Sequence, residues 1–154
     1  MTTGSLVRLI VIDFIVMVIG TAAVGAMAPR WPRHWLARDR GPLRLRSFDT
    51  PALYRRIKAS WLAAHMPELG AACGGTSKKQ LPGTDAQSLT NYLIEVRRAE
   101  WVHWLACTPV IVLYFFNPWW LALLWTLFVC LVNGIFIVIL RFNRIRLLRI
   151  LERA

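Results

Sequence analysis

The chain has 154 residues, 56% of them hydrophobic and only 18% charged, with a positive mean hydropathy of +0.46. An ordinary soluble domain has about a quarter of its residues charged. The excess of 19 Lys+Arg over 8 Asp+Glu, a net charge of +11, leaves nucleic acid or the inner face of a membrane as partners. Eight tryptophans in so short a chain favour the membrane, where indole rings gather at the lipid–water boundary. The basic residues track the ends of apolar runs and form no single interleaved patch, which argues against nucleic acid.

The first apolar run, residues 6–28, is long enough to cross a hydrocarbon core of about 30 Å as a helix. A cleaved signal peptide is the rival reading, with Ala26-Met27-Ala28 resembling a cleavage site. Pro29 just after that site and Asp13 inside the run count against it, so a retained helix is expected. Asp13 lies about two turns from the start of the run, near enough to the outer boundary to be hydrated or protonated there.

Residues 29–100 form the long polar segment. Within it, 30–46 mix tryptophan, leucine and arginine as a surface-lying segment against anionic lipid would. Asp49-Thr50-Pro51 reads as a helix start, with the helix running to about His65 before Pro67. Leu53, Ile57, Trp61 and Ala64 then give one apolar stripe. Residues 70–88 are glycine-rich and read as a loop, and a further helix beginning near Ser88 runs into the second span.

The second and third apolar runs, 101–116 and 119–140, are separated by Asn117-Pro118, a tight turn that makes them a helical hairpin. Trp101, Trp104, Trp119 and Trp120 stand at its ends as a boundary belt would. Thirteen basic residues lie between Arg30 and Arg98 and five follow the third run, whereas the N-terminal tail has only Arg8. The positive-inside rule places 29–100 and 141–154 in the cytoplasm and the N-terminus outside, in a cell membrane. The expected fold is therefore an all-α integral membrane protein: three transmembrane helices in a single domain, with an interfacial helical segment between the first and second and a basic tail at 141–154.

Cys73, Cys107 and Cys130 are scattered without CxxC or Cys/His spacing, so neither a disulfide framework nor a metal site is expected. Gly74-Gly75 alone is too weak to be a cofactor loop, and no bound cofactor is expected. The chemistry concentrates in Ile94–Trp104, where Glu95, Arg97, Arg98, Glu100 and His103 meet the membrane entry. Glu100 and His103 are three apart and share a helix face, so a carboxylate stands ready to orient an imidazole base. The structural alternative pairs Glu100 with Arg97. Asn133 lies eight residues before Arg141, about 12 Å deeper. Its amide suits either a bond to a neighbouring helix or a polar slot for a hydroxylated substrate.

Ile94–Trp104 follows the pattern I-E-x-[KR]-R-A-E-x-x-H-W, with Pro109-Val110-Ile111 and Asn133 downstream. The ending Leu140-Arg141-Phe142-Asn143-Arg144-Ile145-Arg146-Leu147 is close to Q-R-Y-N-R-P-R-L. Over residues 92–152 the chain thus resembles the glycosyl-4,4'-diaponeurosporenoate acyltransferase family, small membrane enzymes that complete staphyloxanthin-type carotenoids. More loosely, Trp61, Pro67-Glu68-Leu69-Gly70 and Lys78-Lys79-Gln80-Leu81 match the family's earlier elements. Leu140, Phe142, Ile145, Leu62 and Glu68 depart from it, while Glu95, Arg98, Glu100, His103, Asn143, Arg144 and Arg146 are retained.

The resemblance implies transfer of a fatty acyl group from an acyl-CoA-type co-substrate to a sugar hydroxyl of a glycosylated carotenoid or glycolipid. His103 would take the hydroxyl proton, Glu100 would orient it, and Asn143 or a nearby arginine would hold the oxyanion. Arg97, Arg98, Arg141, Arg144 and Arg146, with Glu95 and Asn133, would form the substrate-binding rim. The rival is a non-enzymatic adaptor whose basic face binds anionic lipid or a partner membrane protein. Three spans make a thin shell around a pocket, which leaves room for a homo-oligomer or a complex with other pathway enzymes.

Overall fold

The computed structural model describes residues 2–66, 83 and 85–153, and every regular element among them is helical. The elements are α1 (Thr3–Met27), α2 (Arg33–Leu36), α3 (Pro51–Arg56), α4 (Ala59–His65), α5 (Ala86–Leu105), α6 (Val110–Leu113) and α7 (Trp119–Leu151), with single 3-10 turns at Ala28–Arg30 and Gly41–Leu43. Most of the expected loop, residues 70–82 and 84, lies outside the described residues, and so do Glu68, Cys73 and Lys78–Leu81. The chain divides into two compact units, Met1–Trp31 with Val102–Gly134 and Pro32–Trp101 with Ile135–Ala154.

Among the described residues two helices are long and apolar enough to cross a membrane, Thr3–Arg30 and Trp119–Leu151, where the sequence predicts three. The expected second span, 101–116, is not one helix. α5 ends at Leu105, and α6 is a single turn. Pro109 is the cause. It has no amide to donate and its ring would clash with the carbonyl four residues back, that of Leu105. Thr108 satisfies that carbonyl instead, with its amide at 2.9 Å and its hydroxyl at 2.8 Å.

In the first unit, α1 is apolar almost all round. Val7, Val11, Phe14, Ile15, Val18 and Ile19 stay exposed, a pattern suited to hydrocarbon rather than water. One narrow face is covered: Asp13, Met17 and Gly20, spaced four and three apart. Met17 packs with Val110, Leu113, Ala122 and Val129. Asp13 is fully buried and accepts a 2.6 Å hydrogen bond from the Asn117 side-chain amide. Gly20 faces Pro109 so closely that an added Cβ would lie 2.6 Å from the proline Cβ. These pairs show that residues 109–117 run antiparallel to α1. The turn at Asn117-Pro118 reverses the chain into α7, as its sequence predicts. Tyr114 meets Thr126 at 2.9 Å across the reversal.

In the second unit, Leu89, Tyr92, Leu93 and Val96 repeat at three- and four-residue spacing on α5 and bury against Leu140 and Leu147 of α7. The expected third span, 119–140, does not stop before a separate tail. α7 continues through the arginine-rich ending to Leu151. Ile145 permits this, because it supplies the backbone amide that a proline there would remove.

The helix predicted from Thr50 to His65 is two helices. Thr50 caps the first through the Leu53 amide, but Lys58 adopts a left-handed φ of 53° and separates α3 from α4. The expected single stripe is therefore lost. Ile57 and Trp61 are exposed, and Tyr54 and Ala59 pack against Ile145 instead. Residues 30–46 do more than lie on a surface, since Leu36 and Leu43 are buried. Gly41 turns the chain at φ +54° with the Trp101 ring 3.6 Å from where a Cβ would sit.

The close approach at Gly20 is testable. Gly20→Ala should lower stability by about 1–3 kcal/mol through overpacking against Pro109. Gly25→Ala, where nothing lies within 4 Å, should be neutral or gain up to about 1 kcal/mol of helix propensity. Thermal unfolding of the two variants in detergent distinguishes them.

Candidate functional site

The second unit holds a buried ion cluster built on three arginines. Arg144 is fully buried on α7 and meets Asp39 at 2.9 Å and Glu100 at 3.2 Å. One turn earlier, Arg141 reaches Glu100 at 3.0 Å and Asp49 at 3.4 Å, and it also donates to the Pro42 carbonyl. From α5, Arg97 binds Asp39 at 2.6 Å and donates to the Ala37 carbonyl at 3.1 Å. Three carboxylates face three guanidinium groups, so the cluster is formally neutral. Burying unpaired charge would be prohibitive, and each member is retained only because its partners are present.

The geometry follows from local structure. Arg141 and Arg144 are three apart on one helix face, as are Arg97 and Glu100 on α5. The irregular segment before α3 supplies the remaining acids. Asp49 Oδ2 accepts from the Arg46 amide at 2.7 Å, and its other oxygen accepts from the Tyr54 hydroxyl at 2.6 Å. Burial, followed by that bond to a carboxylate, holds the Tyr54 phenol un-ionised well above its usual 10.0.

In the first unit, His103 and Asn133 meet. His103 Nδ1 lies 2.9 Å from Asn133 Oδ1, and the Asn133 amide nitrogen donates to the Val129 carbonyl at 2.9 Å. Cys107, one turn after His103, donates its thiol to the His103 carbonyl at 3.4 Å.

The predicted site residues therefore fall into different settings. Glu100, Arg97, Arg141 and Arg144 come together in the ion cluster, with Arg97 paired to Asp39 rather than to Glu100. His103 and Asn133 pair with each other. Glu95 and Arg98 form a partly exposed ion pair along α5. Asn143 is half-buried and takes no part in the ion pairs, and Arg146 is exposed with its guanidinium 5.5 Å from the Phe142 ring. Sequence reading missed Asp39, Asp49 and Tyr54. A signal was available for the acids, since Asp39 and Asp49 are isolated carboxylates within the most basic stretch of the chain. In the predicted helix start Asp49-Thr50-Pro51, Thr50 is the cap and Asp49 faces Arg141. Among the described residues no group of three or more His, Cys, Asp or Glu could hold a metal ion.

Among the described residues the regular structure is all helical, two helices are of membrane-crossing length, and the second unit holds a charge-neutral ion cluster. Residues 32–153 match the model of the glycosyl-4,4'-diaponeurosporenoate acyltransferase family, and the chain belongs to that family. By its name, this is a family of acyltransferases in carotenoid biosynthesis. No curated protein and no solved structure matches the chain.

Glu100→Gln should cost about 3 kcal/mol, because it leaves Arg141 and Arg144 short of a buried counter-charge. Glu95→Gln, at a partly exposed pair, should cost less than about 1 kcal/mol. Chemical denaturation of both variants measures the difference. Tyr54 gives a pH test. Its phenol ionises near 10 when unfolded but keeps its proton when folded, so stability should fall as pH rises beyond about 10. Tyr54→Phe should remove that alkaline slope from the unfolding midpoint.

Proposed function

We propose that this chain is a membrane acyltransferase that moves a fatty acyl group from an acyl-CoA-type donor to a sugar hydroxyl of a glycosylated carotenoid or related glycolipid. The observation that carries the reading is the family match over residues 32–153, with His103 held against Asn133 as the base it needs. His103 takes the proton of the sugar hydroxyl as the oxygen attacks the thioester carbonyl. The tetrahedral oxyanion is held by a hydrogen-bond donor close to that carbonyl. Collapse breaks the C–S bond, and the thiolate leaves with the proton that His103 took.

Of the arginines on the proposed rim, Arg97, Arg141 and Arg144 already face carboxylates. Their role is to brace the second unit. Arg146, exposed, and Arg98, with its partner Glu95, remain for the phosphates of the donor. Exposed Trp35, Phe48 and Trp61 on the same unit suit contact with a lipid surface. That contact accords with an adaptor as well, yet an adaptor has no use for a half-buried imidazole paired to an amide.

The proposed setting is the cell membrane, with the N-terminus outside and the basic segments in the cytoplasm. Both basic segments then lie on one side, although among the described residues two helices are long and apolar enough to span. The return passage falls to residues 102–117, whose broken helix is tolerated where protein covers the backbone.

The test is acyl transfer in membranes supplied with labelled acyl-CoA and the glycosylated acceptor. His103→Ala at equal abundance should lose about 100-fold or more in rate. A wild-type rate in that variant would remove His103 as the base. Lipid extracts from cells with and without the gene should differ by one acylated glycolipid.

A further inference from the structure

We infer that Asn133 is the positioning residue for His103, fixing the imidazole in the tautomer whose basic nitrogen is Nε2. The inference rests on the reading of His103 as the general base. It assigns the orienting role to an amide instead of the Glu100 carboxylate that the sequence points to.

The hydrogen-bond pattern permits one assignment. The Val129 carbonyl can only accept, so the Asn133 group 2.9 Å from it is the NH2. Asn133 Oδ1 is thereby turned to His103 Nδ1 at 2.9 Å. An amide oxygen can only accept, so Nδ1 carries the hydrogen and the lone pair of a neutral ring sits on Nε2. Val129, four residues before Asn133 on α7, makes this anchoring local to one helical turn.

The nearest carboxylate along α5, Glu100, is held by Arg141 and Arg144. Residues 102–134 include no Asp, Glu, Lys or Arg. The titratable side chains of the unit besides His103 are Cys107, Tyr114 and Cys130, with Arg8 and Asp13 on α1 and Arg30 just after it. Tyr114 is bonded to Thr126, Asp13 to Asn117, and Cys107 to the His103 carbonyl. A neutral amide orients the ring without stabilising an imidazolium as a carboxylate would. The proton accepted from the sugar hydroxyl is therefore held weakly and is readily passed to the departing thiolate.

The experiment compares Asn133→Leu, Asn133→Asp and His103→Ala by steady-state acyl transfer across pH in membranes, alongside 15N-histidine NMR of the wild type. Asn133→Leu should lower kcat by about 10-fold or more with the donor KM little changed. Asn133→Asp should restore most of the rate and move the acidic limb of the pH profile upward, because its charge stabilises the protonated ring. The NMR should show the hydrogen on Nδ1. An inactive His103→Ala combined with wild-type kcat and pH dependence in Asn133→Leu overturns the assignment to Asn133 alone. A fully active His103→Ala overturns the base reading itself. If Asn133→Leu fails to accumulate, the near-isosteric Asn133→Asp decides: an unmoved acidic limb counts against the inference.

Discussion

Glu100 is held between Arg141 and Arg144 where solvent does not reach, and the architecture of the second unit depends on that contact. An isolated carboxylate there would cost several kcal/mol, and so would either guanidinium alone. Their coexistence fixes α5 against the C-terminal part of α7 in one register. Asp39 and Asp49 then draw the irregular segment before α3 into the same cluster. That segment has little regular structure of its own. Its place is set by Leu36 and Leu43 in the core and by ion pairs to helices distant in sequence. The arrangement trades chain entropy for electrostatic specificity: any other register would strand at least one buried charge.

The sequence made some of this legible and obscured the rest for identifiable reasons. The hairpin at Asn117-Pro118 and the face of α5 from Leu89 to Val96 follow from local periodicity and turn chemistry, so they could be read directly. The break at Pro109 was present in the sequence but was outweighed by the apolar run around it, because hydropathy counts side chains and not missing amides. Lys58 gave no warning at all. Nothing in its chemistry favours a left-handed backbone, and burial of Tyr54 and Ala59 imposes that conformation from outside.

The candidate site shows a similar division. His103 and Asn133 were each picked out, 30 residues apart, but their pairing depends on the hairpin geometry. Glu100 and His103, three apart, looked like partners because helical spacing was the only geometry available. The arginines that claim Glu100 lie more than 40 positions later, a separation at which sequence spacing is silent. Asp39 and Asp49 were overlooked because acids in a basic stretch look like solubilising residues until a fold buries them.

The bond between Asp13 and Asn117 has a mechanical meaning. α1 is apolar on nearly every side, and such a helix in hydrocarbon has little reason to prefer one rotation or one height over another. A single polar pair changes that, because sliding by one residue or turning by a third of a revolution would leave Asp13 facing nonpolar atoms. Gly20 adds a second constraint of the opposite kind, a notch that admits only the Pro109 ring. A key and a notch two turns apart give this helix an address. A generic apolar anchor of the same length would float beside the hairpin without locking to it.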